Sequence, residues 1–280
     1  MRVIVTRPLP QALHWRNAFT AQGLEVCTWP LIEVRANTQQ KKLQRIWAQA
    51  LAQGYTDIMF VSATAVRMFF AVRPPAPPLI ELAQALPRTW ATGAGTAAAL
   101  RGVGVPPERI DTPADYAPQW DSENLWAKVA PRVGPHSCVL IVRGLDAHTP
   151  TAPAANTSAR WHALATSTTG HGRDWLGHRI RANGGQVEFI AVYRRHAPAW
   201  SSAQRDAAGQ ALADGSVWLF TSALAITHLR ALLPGSDWAG ARALVTHPRI
   251  ALVAQAHGFG QVHTSGPQLD AVIASIKSLG

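Results

Sequence analysis

Short apolar runs alternate along this chain with longer amphipathic segments. The runs include RVIV (Arg2–Val5), DIMF (Asp57–Phe60), CVLIV (Cys138–Val142) and VWLF (Val217–Phe220). A run that is apolar at successive positions, not at every second one, predicts a strand covered on both faces. Strands of that kind separated by helices predict parallel sheets, and so an α/β fold.

The alternation is written twice. RVIVTRP has a counterpart in CVLIVRG, Cys138 to Gly144. Next, WRNAFTAQGLEVCTWPLIEV (Trp15–Val34) parallels WLGHRIRANGGQVEFIAVYRR (Trp175–Arg195). In both, an amphipathic helix ends at a glycine suited to a left-handed cap, and a strand follows. FVSATAV (Phe60–Val66) returns as FTSALAI (Phe220–Ile226), and RTWATGAGTAAAL (Arg88–Leu100) as RALVTHPRIALVA (Arg242–Ala254). RIDTP with DSENLWAKVA matches QVHTSG with PQLDAVIASIK. Agreement over this many elements in one order predicts a duplicated α/β unit. Two segments stand outside it. Arg73–Pro87 reads as a Pro-rich loop running into a helix. Leu145–Gly172, rich in Ala, Thr, Ser and Pro, reads as a surface insertion between a strand and its helix.

A length of 280 residues suits one large domain or two ordinary ones, and 48% hydrophobic with 15% charged residues marks a folded chain, not a disordered one. No apolar run approaches the roughly 18 to 20 residues of a membrane span. The start, MRVIVTRP, opens on a strand and lacks a signal-peptide pattern, so the cytoplasm is the expected compartment. Cys27 and Cys138 lie far apart in apolar runs and are expected to be buried free thiols. The 11 histidines are scattered without ligand spacing, so no metal is expected. A net charge of +10 favours an acidic ligand, but the arginines are dispersed along the chain. The 11 tryptophans sit in helical or apolar contexts and read as core, so no nucleic-acid partner is expected.

Ligands of an open parallel sheet bind at the carboxyl ends of its strands, where free N–H groups of the following helices attract anions. The corners that fall there are Thr6–Pro8, Ser62–Thr64 and Thr92–Ala97 in the first copy. In the second they are Val142–Gly144, Thr221–Ala223 and Thr246–Ala251. Small residues such as Ala63, Gly93, Gly144 and Ala223 let backbone come close. Hydroxyls on Thr6, Ser62, Thr64, Thr96, Thr221 and Ser222 can cap or donate, and Arg7, Arg143 and Arg249 add charge. GAGT is not the dinucleotide fingerprint, and there is neither a P-loop lysine nor a nucleophile elbow. In AVYRRHAP, Tyr193 is flanked by Arg194 and Arg195 at a strand end. A phenol stays protonated at neutral pH and can serve as a donor to a leaving group.

VTRP, the F-x-S-A corners, ATGAGTA and above all GRDWL…GGQVEFIAVYRR resemble the uroporphyrinogen-III synthase family over nearly the whole chain. The resemblance implies two similar, flavodoxin-like parallel-sheet lobes, joined by a two-stranded linker with a cleft between them. It places residues 1–34 plus 196–280 in lobe 1 and 35–195 in lobe 2, with the 145–172 insertion. The linker strands would lie near 30–35 and 190–196. It implies a cofactor-free monomer acting on hydroxymethylbilane, with Tyr193 as the catalytic residue. Thr6, Arg7, Ser62, Ala63, Thr64, Gly93, Thr96, Arg143, Gly144, Arg194, Thr221, Ser222 and Ala223 are the expected substrate contacts. VTHPRIA (Val245–Ala251) departs from the family pattern, with Arg249 and Ile250 in place of its hydroxyl pair. The competing reading is a non-catalytic bilobed binder of a polycarboxylate.

Overall fold

The computed structural model of the chain describes residues 1–37, 39–114, 121–147 and 171–279. The chain runs β1 (Arg2–Val5), α1 (Leu9–Ala21), β2 (Glu25–Thr28), β3 (Glu33–Ala36), α2 (Gln40–Leu51), β4 (Asp57–Phe60) and α3 (Ala63–Ala71). It continues through α4 (Leu79–Ala85), β5 (Arg88–Ala91), α5 (Ala94–Gly102), β6 (Ile110–Asp111), α6 (Ser122–Val129), β7 (Cys138–Asp146), α7 (His171–Ala182) and β8 (Gln186–His196). Last come α8 (Ser202–Ala213), β9 (Val217–Phe220), α9 (Ala223–Leu232), β10 (Arg242–Val245), α10 (Pro248–Ala256), β11 (Gln261–Thr264) and α11 (Leu269–Ser278). Two compact units result: unit 1 holds Met1–Val34 and Arg195–Gly280, and unit 2 holds Arg35–Arg194.

Unit 1 carries a five-stranded sheet in the order β11-β10-β9-β1-β2, its ladders parallel. Alternate residues of each strand go to opposite faces. Ile4, Trp218, Phe220, Ala243 and Val245 face one way and pack with Ala208 and Leu212 of α8, Ile226 and Leu229 of α9 and Ala254 of α10. Val3, Val5, Val217, Leu219 and Leu244 face the other way, onto Trp15 and Phe19 of α1 and Val272 and Ile276 of α11. Continuous apolar strands therefore need helices on both sides, and unit 1 supplies them. Trp218 is wholly buried and stacks on Phe220 with ring centroids 6.3 Å apart. Truncating such a ring to alanine costs about 3–5 kcal/mol.

Unit 2 is built the same way. Its six-stranded sheet has the order β3-β8-β7-β4-β5-β6, and the β7/β4, β4/β5 and β5/β6 ladders are parallel. Met59, Trp90, Val139 and Ile141 pack with α6 and α7 on one face. Phe60 meets Phe69 of α3, which in turn stacks on Trp47 of α2 at 4.5 Å. At the amino end of the sheet, Asp111 accepts from both Arg88 (3.0 Å) and Arg132 (2.5 Å). Burial pushes this carboxyl up, but the two guanidinium groups outweigh it and hold it below the usual range.

The α/β class with parallel sheets expected from the alternation is the class observed. Gly23 and Gly184 end α1 and α7 at φ values of +76° and +85°, conformations that favour glycine. Two expectations need correction. Cys27 and Cys138 are free but only half-buried, because each lies on a strand at a partly covered position. The expected insertion also begins and ends differently: Leu145 and Asp146 belong to β7, and His171 and Gly172 to α7. With β8 beside it, β7 continues past the point where its β4 partner ends. The bulk of that insertion lies outside the described residues. Among the described residues no helix is long and apolar enough to cross a membrane.

Candidate active site

In each sheet the strand order reverses once. In unit 2 the chain leaves β4 toward β5 and β6, but leaves β7 toward β8 on the other side. Above such a pair of carboxyl ends the connections diverge and leave a crevice, the usual ligand site of open α/β sheets. The corresponding pair in unit 1 is β1 and β9.

At the unit 2 switch point Ser62 is the N-cap of α3, in extended conformation, and its Oγ accepts the N–H of Ala65 at 3.1 Å. The same Oγ lies 3.2 Å from the phenol oxygen of Tyr193 on β8. Tyr193 is only 4% exposed. Its ring lies against the backbone of Gly144 on β7, where an added Cβ would fall 2.1 Å from Cε2 and 2.2 Å from Cζ. Only glycine admits the ring there. Three residues that the sequence places far apart, Ser62, Gly144 and Tyr193, thus fix one hydroxyl.

The other unit 2 candidates are distributed around this centre. Ala63 and Thr64 open α3, and Thr64 Oγ1 accepts from Arg67 at 3.3 Å. Gly93 is the N-cap of α5, and its carbonyl accepts the N–H of Thr96, a buried residue, at 2.9 Å. Arg194 donates to the carbonyls of Asp146 (3.4 Å) and Ala147 (3.1 Å). Arg143 needs a different account from the one its sequence position suggested. Its guanidinium pairs with Asp174 at 3.0 Å and stacks on the Phe189 ring at 4.5 Å. Strand alternation sends Arg143 and Gly144 to opposite faces, so the charge is neutralised on the α7 side.

Unit 1 presents a different chemistry at the matching positions. Thr6 is buried, and its hydroxyl donates to the Leu219 carbonyl at 2.7 Å. The expected ligand hydroxyl is therefore a tie between β1 and β9. The Thr6 carbonyl accepts the N–H of Leu31 at 3.1 Å, and the Leu31 carbonyl lies 2.6 Å from Nδ1 of buried His228. Arg7 donates from Nε (3.2 Å) and Nη2 (2.9 Å) to Oε1 of Gln11, and its Cζ sits 4.6 Å from the Trp15 ring. Burial lowers its pKa from the ordinary arginine value. Thr221 follows β9, Ser222 is the N-cap of α9, and Ala223 opens that helix. Unlike Ser62, Ser222 makes no side-chain cap bond.

The sequence reading missed three contributors. Asp174 neutralises Arg143 from the first turn of α7, His228 reaches the Leu31 carbonyl, and His247 caps α10 by accepting the Arg249 N–H at 3.0 Å. An N-capping histidine carries little sequence signal, since Ser, Thr, Asp and Asn dominate that position. Among the described residues no three His, Cys, Asp or Glu side chains converge on a metal-sized site.

The profile of a family described as "Uroporphyrinogen-III synthase HemD" matches residues 14–153, half of the chain. Two solved structures share the fold along the full chain. Uroporphyrinogen-III synthetase from Helicobacter pylori superposes with a TM-score of 0.58 at 15% identity, covering 100% of both chains. A mutant uroporphyrinogen III synthase from Thermus thermophilus gives 0.55 at 15% identity, covering 100% of this chain and 98% of that one. No curated protein matched the sequence.

Proposed function

The chain belongs to the uroporphyrinogen-III synthase family, and from that premise we propose that it closes hydroxymethylbilane to uroporphyrinogen III, with loss of water and inversion of the last pyrrole ring. The observation that carries the mechanism is the Tyr193 phenol, seated on Gly144 and bonded to Ser62 at the switch point of unit 2.

The difficult step is departure of the terminal hydroxyl, which must leave as water. Ser62 Oγ already accepts from Ala65 N–H, so its own hydrogen is free to point at the phenol oxygen. That arrangement leaves the phenol hydrogen to go to the departing hydroxyl. The negative charge that then forms on Tyr193 is met by the Ser62 hydroxyl and the amino end of α3. The pyrrole nitrogen lone pair stabilises the cation left behind. The last ring attacks it through its substituted carbon and forms a spiro intermediate. The old bridge bond breaks, and the ring recloses through its free carbon, which sheds a proton. That proton balances the one Tyr193 gave up, so the net loss is water and no cofactor is needed.

The remainder of the task is conformational, because the bilane also closes unaided to the uninverted isomer; holding the ends in the productive geometry is the larger contribution. The proposal takes the two units as lobes joined through β3 and β8, with the substrate in a cleft between their strand ends, in a cytoplasmic monomer. Ala63, Gly93, Thr96 and Arg194 on one lobe, and Arg7, Thr221, Ser222 and Ala223 on the other, are then its contacts. The decisive measurement is the isomer ratio from freshly generated hydroxymethylbilane. The type III isomer should dominate, and Tyr193→Phe should slow its formation by about 10²-fold without lowering the melting temperature. Tight binding with only type I product would instead favour the non-catalytic binder, and an unchanged rate in Tyr193→Phe would remove the phenol from the mechanism.

A further inference from the structure

β8 does not keep one alternation from end to end. Successive residues of a strand turn to opposite faces of the sheet. Glu188 turns to the face covered by α2, where it meets Arg45 at 2.6 Å and the Tyr55 hydroxyl at 2.7 Å. Val187 and Phe189 turn to the other face and pack with α6 and α7. Tyr193 stands four residues after Phe189, an even step, so strict alternation would send it to the α7 face as well. It lies on the opposite one. Its ring covers the spot to which a Cβ of Gly144 would point, and Gly144 faces away from Arg143, whose guanidinium is held by Asp174 of α7. The Tyr193 hydroxyl meets Ser62 at the start of α3. α2 and α3 share that face, with Trp47 stacked on Phe69. One residue too many therefore lies between Phe189 and Tyr193.

The hydrogen bonds of β8 locate it. Consecutive carbonyls of a regular strand point to opposite edges, so a neighbour on one side reaches only every second one. Asn37, the residue after β3, reaches two in a row. Its backbone N–H donates to the Val192 carbonyl at 3.0 Å, and its Nδ2 donates to the Ala191 carbonyl at 2.9 Å. β3 is the neighbour of β8 on the side away from β7. Two successive carbonyls turned toward one residue are the mark of a β-bulge, which takes up one extra residue and shifts the phase of the strand by one. Ile190, Ala191 and Val192 are all buried, so the extra residue is held inside the packed sheet and not in a loop. Bulges next to active sites re-aim side chains in this way.

We infer that β8 carries a bulge at Ala191–Val192, and that Asn37, which pins it, is a positioning residue for the Tyr193 hydroxyl. Without the bulge the phenol would face α7 and could not meet Ser62. The backbone bond from Asn37 survives most substitutions there, so the side-chain bond to Ala191 is the part that a mutation removes. Asn37 acts through the backbone of β8 and moves no proton. It sets how often the phenol is aligned, and so acts on kcat and not on KM. What the phenol does once placed rests on the reaction proposed above; its placement does not.

The test uses the full-length protein and two readouts. One is steady-state formation of the type III isomer from hydroxymethylbilane. The other is fluorine NMR of protein carrying fluorotyrosine, in which the Tyr193 signal is identified by its loss in Tyr193→Phe. Asn37→Ala should move that signal, as Ser62→Ala does, and lower kcat about tenfold with KM within about twofold. In a Tyr193→Phe background the same change should have no further effect on kcat, since no phenol is left to place. Deleting Ala191 removes the extra residue. Tyr193 then stands three after Phe189 and faces Ser62 by plain alternation, so Asn37→Ala should lose its effect. If Asn37→Ala does not fold, Asn37→Asp makes the same comparison, since it keeps the shape and exchanges the donor for an acceptor. An unmoved Tyr193 signal in the folded Asn37 variants, or an equal kcat loss with and without the phenol, would overturn the positioning role. An Asn37 effect that persists in the deletion variant would overturn the bulge. A wild-type protein that makes no type III isomer, yet whose Tyr193 signal moves in Asn37→Ala, would sink the proposed reaction and leave the bulge standing.

Discussion

Units 1 and 2 are the same sheet read from different starting points. Unit 1, in spatial order, is β2-β1-β9-β10-β11; unit 2, without β3, is β8-β7-β4-β5-β6. Numbering unit 1 along the chain gives the order 2-1-3-4-5, the flavodoxin-like arrangement. Numbering unit 2 from β7 gives the same order, so the chain enters the second sheet two strands late. Equal scaffolds carry unequal corners. In unit 2 the arginine is neutralised and the N-cap serine is bonded to a tyrosine. In unit 1 the arginine lacks a carboxylate among the described residues and the serine is uncapped. The difference teaches that a duplicated switch point need not do one thing twice. A proton donor benefits from surroundings already satisfied, which hold its geometry.

The strongest attack on this contrast is steric. Gly144→Ala places a Cβ about 2.1 Å from the Tyr193 ring, and the ring must leave its seat. Formation of the type III isomer should fall by at least about 10²-fold, the scale of losing the acid, while the corresponding Pro8→Ala in unit 1 should cost far less. Equal losses in the two variants would mean that the corners are not specialised.

Next in size is the serine pair. Ser62→Ala removes a cap bond and should lower unfolding free energy by about 1 kcal/mol, with kcat reduced about tenfold through the lost bond to Tyr193. Ser222→Ala loses no cap bond and should change stability by no more than a few tenths of a kcal/mol. Urea unfolding beside a kcat and KM determination separates the two; a larger stability loss at Ser222 would reverse the assignment.

The smallest effect should come from Asp174→Asn. Its pair with Arg143 is partly exposed, with Asp174 at 55%, so stability should drop by less than about 1 kcal/mol. Urea unfolding checks this, and a clearly larger loss would argue that Asp174 has a role besides neutralising Arg143.

How much of this could be read beforehand depends on what each feature rests on. Strand runs, glycine caps and the F-x-S corners are local, so the sequence carried them: Ser62 and Ser222 both appear as N-caps, whereas Tyr193, expected at a strand end, lies within β8, which runs on to His196. Pairing is not local. Whether the Thr6 hydroxyl meets a ligand or the Leu219 carbonyl depends on the β1/β9 register, which joins residues more than 200 apart in sequence. The Arg143–Asp174 pair closes across the segment that interrupts the second copy, and only the folded sheet shows which face of β7 the arginine takes. Gly144 was picked out as a small residue for ligand approach, whereas its small size serves the Tyr193 ring. The permuted strand order was not legible either, because a repeat aligned along the chain looks the same whichever strand begins the sheet.

That permutation has a consequence during synthesis. Unit 2 is one unbroken stretch, Arg35–Arg194, and every strand lying wholly within it has been made before β9 leaves the ribosome. β1 is translated before the other strands described, yet it lies between β2 and β9 in a sheet whose other three strands begin only at Val217. At about 5–20 residues per second, those first residues wait roughly 10 to 40 s for their neighbour. The earliest of these strands holds an interior place in the last sheet to close.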